Sequence, residues 1–315
     1  MIEALLRRLG AAFVTMVLAT GAVFLLIRAV PGDAIGEMLG QSAGDPAAEA
    51  ALRAFFGLDQ PIWSQYLRWA GDVLRGDLGT SMRQGLPVAG IILDAFLVTL
   101  EIGLVTLLAA ILVGVPLGLA AGARPGGLMD LVVEGFTLLT LSAPVFWTGM
   151  VALILADAWL GWAPPLVYTS PGMSLADNLE GILLPVLALG LLQAGAYAQF
   201  TRQQTAALLR QDFVRAATAR GLPARVIFGR HVLRNIAIPL VTYAGLILVQ
   251  ILGGVVVVET LFGIPGLGRT LLAAIQGRDY PVLQGALLLA VLVALLVNLL
   301  IDLAYAVIDP RVRGA

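Results

Sequence analysis

The chain carries a single histidine, His231, and has no cysteine and no lysine. Without thiols there is no disulfide, no thiolate nucleophile and no Cys-based zinc or iron–sulfur site. A zinc centre or a nucleophilic triad needs several convergent groups, and the carboxylates around His231 are scattered. His231 is therefore expected to be an ordinary polar residue of a loop helix, and no metal site is expected. No glycine-rich stretch ends in Gly-Lys-Ser/Thr, the pattern that cradles nucleotide phosphates, so ATP is not expected to bind here. The ionisable groups that could still act are Glu101, Glu134 and Asp302, which lie within or beside apolar runs. A charged side chain at the bilayer centre costs about 2.5–3.5 kcal/mol on insertion scales, so such groups face a bundle interior or a cavity. Glu101 is the deepest in its run. Its expected role is interhelical hydrogen bonding, with a place on a solute path as the alternative; Asp302 is expected near an interface.

The elements that hold these groups belong in lipid. Of 315 residues, 59% are hydrophobic and 12% charged, against about 25% charged in a typical soluble domain. The mean hydropathy is +0.94. Six apolar runs, 9–27, 95–121, 131–156, 181–198, 236–258 and 282–308, approach or exceed the roughly 20 residues that cross a bilayer as a helix. None alternates apolar and polar residues as barrel strands do, and a backbone in hydrocarbon must satisfy its own hydrogen bonds. The first run is too long for a signal peptide and is read as an uncleaved span. The expected fold is an all-α integral membrane bundle of about six transmembrane helices. Residues 1–30 form the cytoplasmic N-terminus and first span, 31–92 an extracytoplasmic loop region, and 93–315 a five-span core with a cytoplasmic loop at 201–235. With the amino terminus inside, twelve of the nineteen arginines, including all seven from Arg202 to Arg234, face the cytoplasm, as the positive-inside rule requires. Both termini are then cytoplasmic.

Within the spans, Pro116, Pro144, Pro185 and Pro239 remove helix hydrogen bonds and permit kinks. Pro144, beside Ser142 and Phe146-Trp147, is the one placed to serve a moving gate. Gly114/Gly118 and Gly253-Gly254 suit close helix contact. In the 31–92 region an amphipathic helix is expected around Trp63, Tyr66, Leu67 and Trp69, with its rings at headgroup level. In the 201–235 loop, Leu209, Phe213, Ala216, Ala217 and Arg220 recur at helical spacing. Gly221 would end that helix in a left-handed cap, and Pro223 suits the first turn of a second short helix. The result is a helix–turn–helix knuckle. Read from the residues alone, it could dock into a groove on a partner, lie on anionic lipid, or be merely the basic loop that topology demands.

Ala216-Ala217, Gly221 and Ile238-Pro239 resemble the EAA loop of ABC-importer permeases. Arg215 stands where that pattern has Glu, and the spacing from Gly221 to Pro239 is longer than the common one. Both departures are usual in the dipeptide/oligopeptide/nickel permease branch. Nearly the whole chain resembles that branch, in particular the first of its paired permeases. The matching stretches are Arg28-Ala-Val-Pro-Gly-Asp33, Gly57-Leu-Asp-Gln-Pro61, Gly76-Asp-Leu-Gly79, Thr99-Leu-Glu101, Asp212-Phe-Val-Arg-Ala-Ala217 and His231-Val-Leu-Arg-Asn235, followed by Glu259-Thr-Leu-Phe-Gly-Ile-Pro-Gly-Leu-Gly268, Arg278-Asp-Tyr-Pro281 and Asp309-Pro-Arg311.

The resemblance implies a permease forming half of a translocation pathway for peptides or a related small solute. It implies a second homologous permease, two cytoplasmic ATPase subunits that hold the ATP and magnesium, an extracytoplasmic substrate-binding protein, and no nucleic acid. The chain would sit in the surrounding lipid bilayer of a bacterial or archaeal cell membrane, the inner one if Gram-negative, with no cofactor of its own. Asp212, Phe213, Arg215, Ala216, Ala217, Arg220 and Gly221 would couple to the ATPase. Glu101, Pro144 and Trp147 are candidates for the substrate path. Glu259, Pro265, Gly266, Asp279 and Tyr280 are candidates for an outer docking surface or lid; the Gly and Pro content of the 265–281 connection predicts turns, and a plain connector is the alternative there. Two rival functions weigh less. An ion- or proton-coupled carrier predicts inverted repeats and paired midplane charges, and an intramembrane enzyme predicts a catalytic constellation; neither pattern is present in the sequence.

Overall fold

A computed structural model describes residues 2–29, 35 and 46–308. Among them the chain is helical, with one isolated bridge between Thr80 and Pro87. The helices are α1 (Ile2–Ala29), α2 (Pro46–Phe55), α3 (Ile62–Leu74), α4 (Val88–Ala123), α5 (Leu128–Ser142), α6 (Val145–Leu160), α7 (Leu175–Leu209), α8 (Asp212–Ala219), α9 (Leu233–Phe262), α10 (Leu267–Gln276) and α11 (Tyr280–Ile308). They group into two compact units, one of residues 1–97 with 266–296, the other of 98–265 with 297–315.

Four helices are long and apolar enough to cross a membrane over Val88–Ala123, Leu175–Leu209, Leu233–Gly253 and Tyr280–Ile301. These are the second, fourth, fifth and sixth expected spans, and α1 holds the first. The third differs from expectation. Residues 131–156 do not form one helix: α5 and α6 are bent by 102°. Pro144 is the cause. It has no N–H to continue the α5 ladder, and it drives the preceding residue out of the helical region. Ala143 is accordingly extended at φ −82°, ψ 125°. Pro116, Pro185 and Pro239, by contrast, each sit inside an unbroken helix. Counting α1 and the bent pair as one crossing each, the chain is an all-α membrane bundle of about six spans.

The shortest expected span, 181–198, proves to be the middle of the 35-residue α7, which Ser174 caps by accepting the Asp177 N–H at 3.3 Å. Of its apolar window 67% is buried, against 33% or less for the other three spans. A helix enclosed by protein does not have to be uniformly lipophilic. Gln193, Thr201 and Thr205 are all buried along it.

The second unit is held by a core of Val98, Ile102, Ile182, Leu189, Tyr197, Ile247, Ile251 and Val255. Here α4 and α7 meet along a seam of Gly114, Gly118 and Gly122. A Cβ on these residues would lie 2.5 Å from the Ala194 carbonyl oxygen, 2.5 Å from that of Ala198 and 2.6 Å from that of Arg202. Only glycine permits that approach. Gly253, expected at a close contact, has open space around it, and the surroundings of Gly254 lie outside the described residues.

In the first unit, Val88, Ile92, Leu267, Val282 and Ala286 form the core. The connection expected to be turns contains α10, because Leu267 and Ala274 share one face that is buried in this core. The expected aromatic helix is α3. Tyr66 and Trp69 are turned onto Phe24 of α1, with ring centroids 5.3 and 6.1 Å away; Trp63 and Leu67 remain exposed.

Replacing Gly118 by Val should wedge α4 from α7 and cost about 1–3 kcal/mol, the usual penalty for overpacking. The measurement is the thermal unfolding midpoint in detergent, which should fall clearly below that of Gly90→Val, where nothing lies within 4 Å of the added Cβ.

Candidate functional site

The knuckle begins where α7 stops. Arg210 closes α7 and Gln211 is extended at φ −75°, ψ 152°, so the helical phase restarts at Asp212, an acid suited to the positive end of the α8 dipole. The restart redistributes the expected stripe. Val214 and Ala217 are buried with Ile227, and Leu209 packs against them from α7. Phe213, Ala216 and Arg220 lie on the outward face, three and four residues apart. Asp212 and Arg215 are also exposed and pair at 3.7 Å. Ala217 is thus an anchor for the knuckle itself and not part of its outer surface.

Gly221 does what its position predicts. At φ +78° it ends α8, its N–H reaching the Thr218 carbonyl at 2.9 Å and the Leu222 N–H reaching that of Ala217 at 3.3 Å. This is the bond pair of a Schellman cap. After Pro223 come one short turn, Ala224–Val226, and a π-turn, Ile227–Val232, that leads into α9. The His231 side chain lies outside the described residues, as do the side chain of Asp302 and the 309–311 motif.

At the root of the knuckle, the Arg202 guanidinium of α7 donates to both oxygens of Asp130 on α5, the second bond measuring 3.0 Å, and approaches Glu134 at 3.5 Å. Asp130 is buried and also accepts the Gly126 N–H at 2.8 Å. Sequence reasoning marked Glu134 but missed this pair. Its signal was an acid in the first turn of one helix and an arginine late in another, 72 residues apart.

The three path candidates are not brought together by any described contact. Glu101 is half-buried and accepts the Tyr168 hydroxyl at 2.5 Å, from the connection between α6 and α7. Burial foremost, and then this carboxylate, push the Tyr168 phenol well above its ordinary value. Pro144 and Trp147 sit at the α5–α6 bend, both exposed.

The outer candidates divide. Glu259 is fully buried and takes the Thr99 hydroxyl at 2.5 Å, tying α9 to α4. It belongs to the bundle interior, not to a docking surface. Asp279 is likewise 3% exposed. Its carboxylate receives the Ser81 hydroxyl and the amides of Met82 at 3.1 Å and Arg83 at 3.3 Å, which pins the 79–87 loop to the start of α11. Both corrections have one cause: an acid beside Gly and Pro in sequence looks like surface, but each here satisfies donors inside the fold. Pro265 is exposed and Gly266 buried. Tyr280 lines a cavity of about 270 Å³ with Arg28, Trp69 and Gln284.

Residues 1–103 match the N-terminal membrane component of binding-protein-dependent transport systems, and residues 114–314 match the inner membrane component of the same systems. The dipeptide transport system permease protein DppB of Escherichia coli (strain K12) is 35% identical, over 99% of each chain. The di/tripeptide transport system permease protein DppB of Pseudomonas aeruginosa (strain UCBPP-PA14) is 36% identical, again over 99% of each. Among solved structures, a chain of the MetNI methionine ABC transporter in an inward-facing conformation superimposes with a TM-score of 0.53 at 18% identity. That match covers 70% of this chain and 97% of the other, and it speaks to fold.

Asp279→Ala should leave the Ser81 hydroxyl and the Met82 amide without their acceptor, a loss of about 1–3 kcal/mol. Limited proteolysis should then cut within residues 79–87, where the unaltered chain resists, and Asp279→Asn should restore part of the protection.

Proposed function

Because the chain belongs to the family of inner membrane components of binding-protein-dependent transport systems, we propose that its α8 knuckle is the part through which ATP-driven work reaches the bundle. The chain is a membrane-spanning permease subunit of an ABC importer. In the reading proposed here it forms half of a translocation pathway beside a second permease of the same fold. Two ATPase subunits sit on the cytoplasmic side and hold the nucleotide and magnesium, and a binding protein delivers solute from outside. Peptides are the favoured cargo, since the full-length relatives are dipeptide and di/tripeptide permeases. The arginine distribution supports cytoplasmic termini and a cytoplasmic knuckle in a bacterial or archaeal cell membrane.

One observation carries the coupling role. A helix of only eight residues is locked from behind by Val214, Ala217 and Ile227 while it presents Phe213, Ala216 and Arg220 outward. A short helix with an anchored back and an outward face that includes a partly exposed aromatic ring is suited to seat in a groove of a partner. When ATP draws the two ATPases together, the seated helix moves with them, and its root moves α7. The bundle then exchanges inward- and outward-facing states, a population shift with no covalent step on this chain. The exposed Pro144–Trp147 bend is proposed to face the solute path and Pro265 to face the binding protein.

The test is reconstitution of the permease pair with its ATPases in proteoliposomes. Phe213→Ser combined with Arg220→Glu should weaken ATPase-subunit binding about tenfold or more, the loss expected for a central aromatic anchor and a charge. Vanadate-sensitive dipeptide uptake should be lost while membrane insertion is unchanged. Unimpaired uptake by this variant refutes the coupling role.

A further inference from the structure

Helix α5 is fastened to α7 at three levels. Near the start of α5, Asp130 accepts two bonds from the Arg202 guanidinium, one of them 3.0 Å long. One turn on, Val133 is buried with Ala198. Toward the end of α5, the Thr137 hydroxyl donates to the Gly195 carbonyl at 3.4 Å, and Thr140 Oγ1 fills the place that a Cβ on Gly195 would need.

The first fastening differs in kind. Asp130 is 4% exposed, and Arg202 lies within about two turns of the end of α7, the end joined to α8. Apolar side chains could hold the two helices as firmly, since replacing a buried ion pair by well-packed hydrophobic residues is often neutral or stabilising. What a two-pronged guanidinium–carboxylate pair adds is direction: it sets one register of α7 against α5. Asp130 also takes the Gly126 N–H at 2.8 Å, so the same carboxylate fixes the turn that leads into α5.

The other end of α5 is a bend. Ala143 and Pro144 are extended, at ψ 125° and 138°, and α6 leaves at 102°. Helix α6 is held by α9 as well: Gly149 is buried, and a Cβ on it would lie 2.8 Å from Leu261. The bend thus joins a limb clasped to α7 to a limb that α9 also grips. A displacement of α7 relative to α9 falls on residues 143–144.

We propose that Asp130 and Arg202 are positioning residues of transport: their ion pair makes α5 move with α7, so that a pull on the knuckle changes the angle of the Pro144 bend. The proposal rests on the coupling role of α8, and it adds the residues that carry the motion onward.

The chain has no cysteine, so introduced cysteines alone take nitroxide labels once it is assembled with cysteine-free partner subunits in proteoliposomes. Leu131→Cys with Ile154→Cys spans the bend, and Leu131→Cys with Leu187→Cys spans α5 and α7; all three positions are exposed. Label distances are measured by double electron–electron resonance, without nucleotide and after trapping with ATP and vanadate. The distance across the bend should shift and the α5–α7 distance should hold. Arg202→Gln should remove most of that shift and raise the ATP hydrolysed per dipeptide imported about tenfold, the scale of a coupling free energy. Arg202→Lys, which keeps the charge, should retain most of the shift. A purely structural role would instead lower hydrolysis and uptake together and leave their ratio unchanged, which overturns the proposal. So does a bend that shows no shift with Asp130 and Arg202 intact, or an α5–α7 distance that changes as much, whether or not the variants fold. Phe213→Ser with Arg220→Glu separates the two readings. Labels that still move in that variant refute the coupling role and this proposal with it. Labels that rest there but move fully in Arg202→Gln refute this proposal alone.

Discussion

Hydrocarbon offers a peptide group nothing to bond with, and almost every feature of this chain follows from that restriction. Each crossing segment must close its own ladder, which is why the described residues are helical and why the break between α5 and α6 falls at Pro144, which has no N–H to give. The restriction reaches the side chains as well. Glu259 and Asp130 are tolerated because Thr99 and Arg202 meet them. Polar groups inside the bundle thus serve as fasteners between helices. Their positions record which helices must remain neighbours.

Close approach is the second organising element. Without a hydrophobic force between helices already in lipid, contact must come from surface fit. The glycine seam of α4 provides it by letting the carbonyls of α7 come where a methyl group would stand. One helix is consequently gripped over about two turns of glycine spacing and, further along, by the Arg202–Asp130 pair. The more hydrophilic sequence of α7 is the mark of this enclosure.

Crossing number and helix class were legible because they depend on long averages of hydropathy, which survive local exceptions. Gly221 was legible because a left-handed residue after an amphipathic stretch has few other uses. Three things were not. The break at Pro144 looks in sequence like Pro116 or Pro185, which also lack an N–H yet sit inside continuous helices, so the residue type alone does not tell a tolerated proline from a break. The restart at Asp212 shifts the phase of the knuckle, so Leu209 and Ala217 share a buried cluster while Phe213, Ala216 and Arg220, counted on the same stripe, face outward. Glu259 and Asp279 were misplaced because their partners, Thr99 and Ser81, lie 160 and 198 residues away. A chain read locally has no access to such pairings.

The two-residue join at Arg210–Gln211 has a mechanical consequence. Between the short α8 and the 35-residue α7, about 52 Å long at 1.5 Å per residue, there is no slack segment to absorb displacement. A tug on the small helix is delivered to a stiff rod as torque at its end, with little compliance in the hinge. The far tip of that rod, near Ser174, would then swing through a wider arc than the end that was pulled.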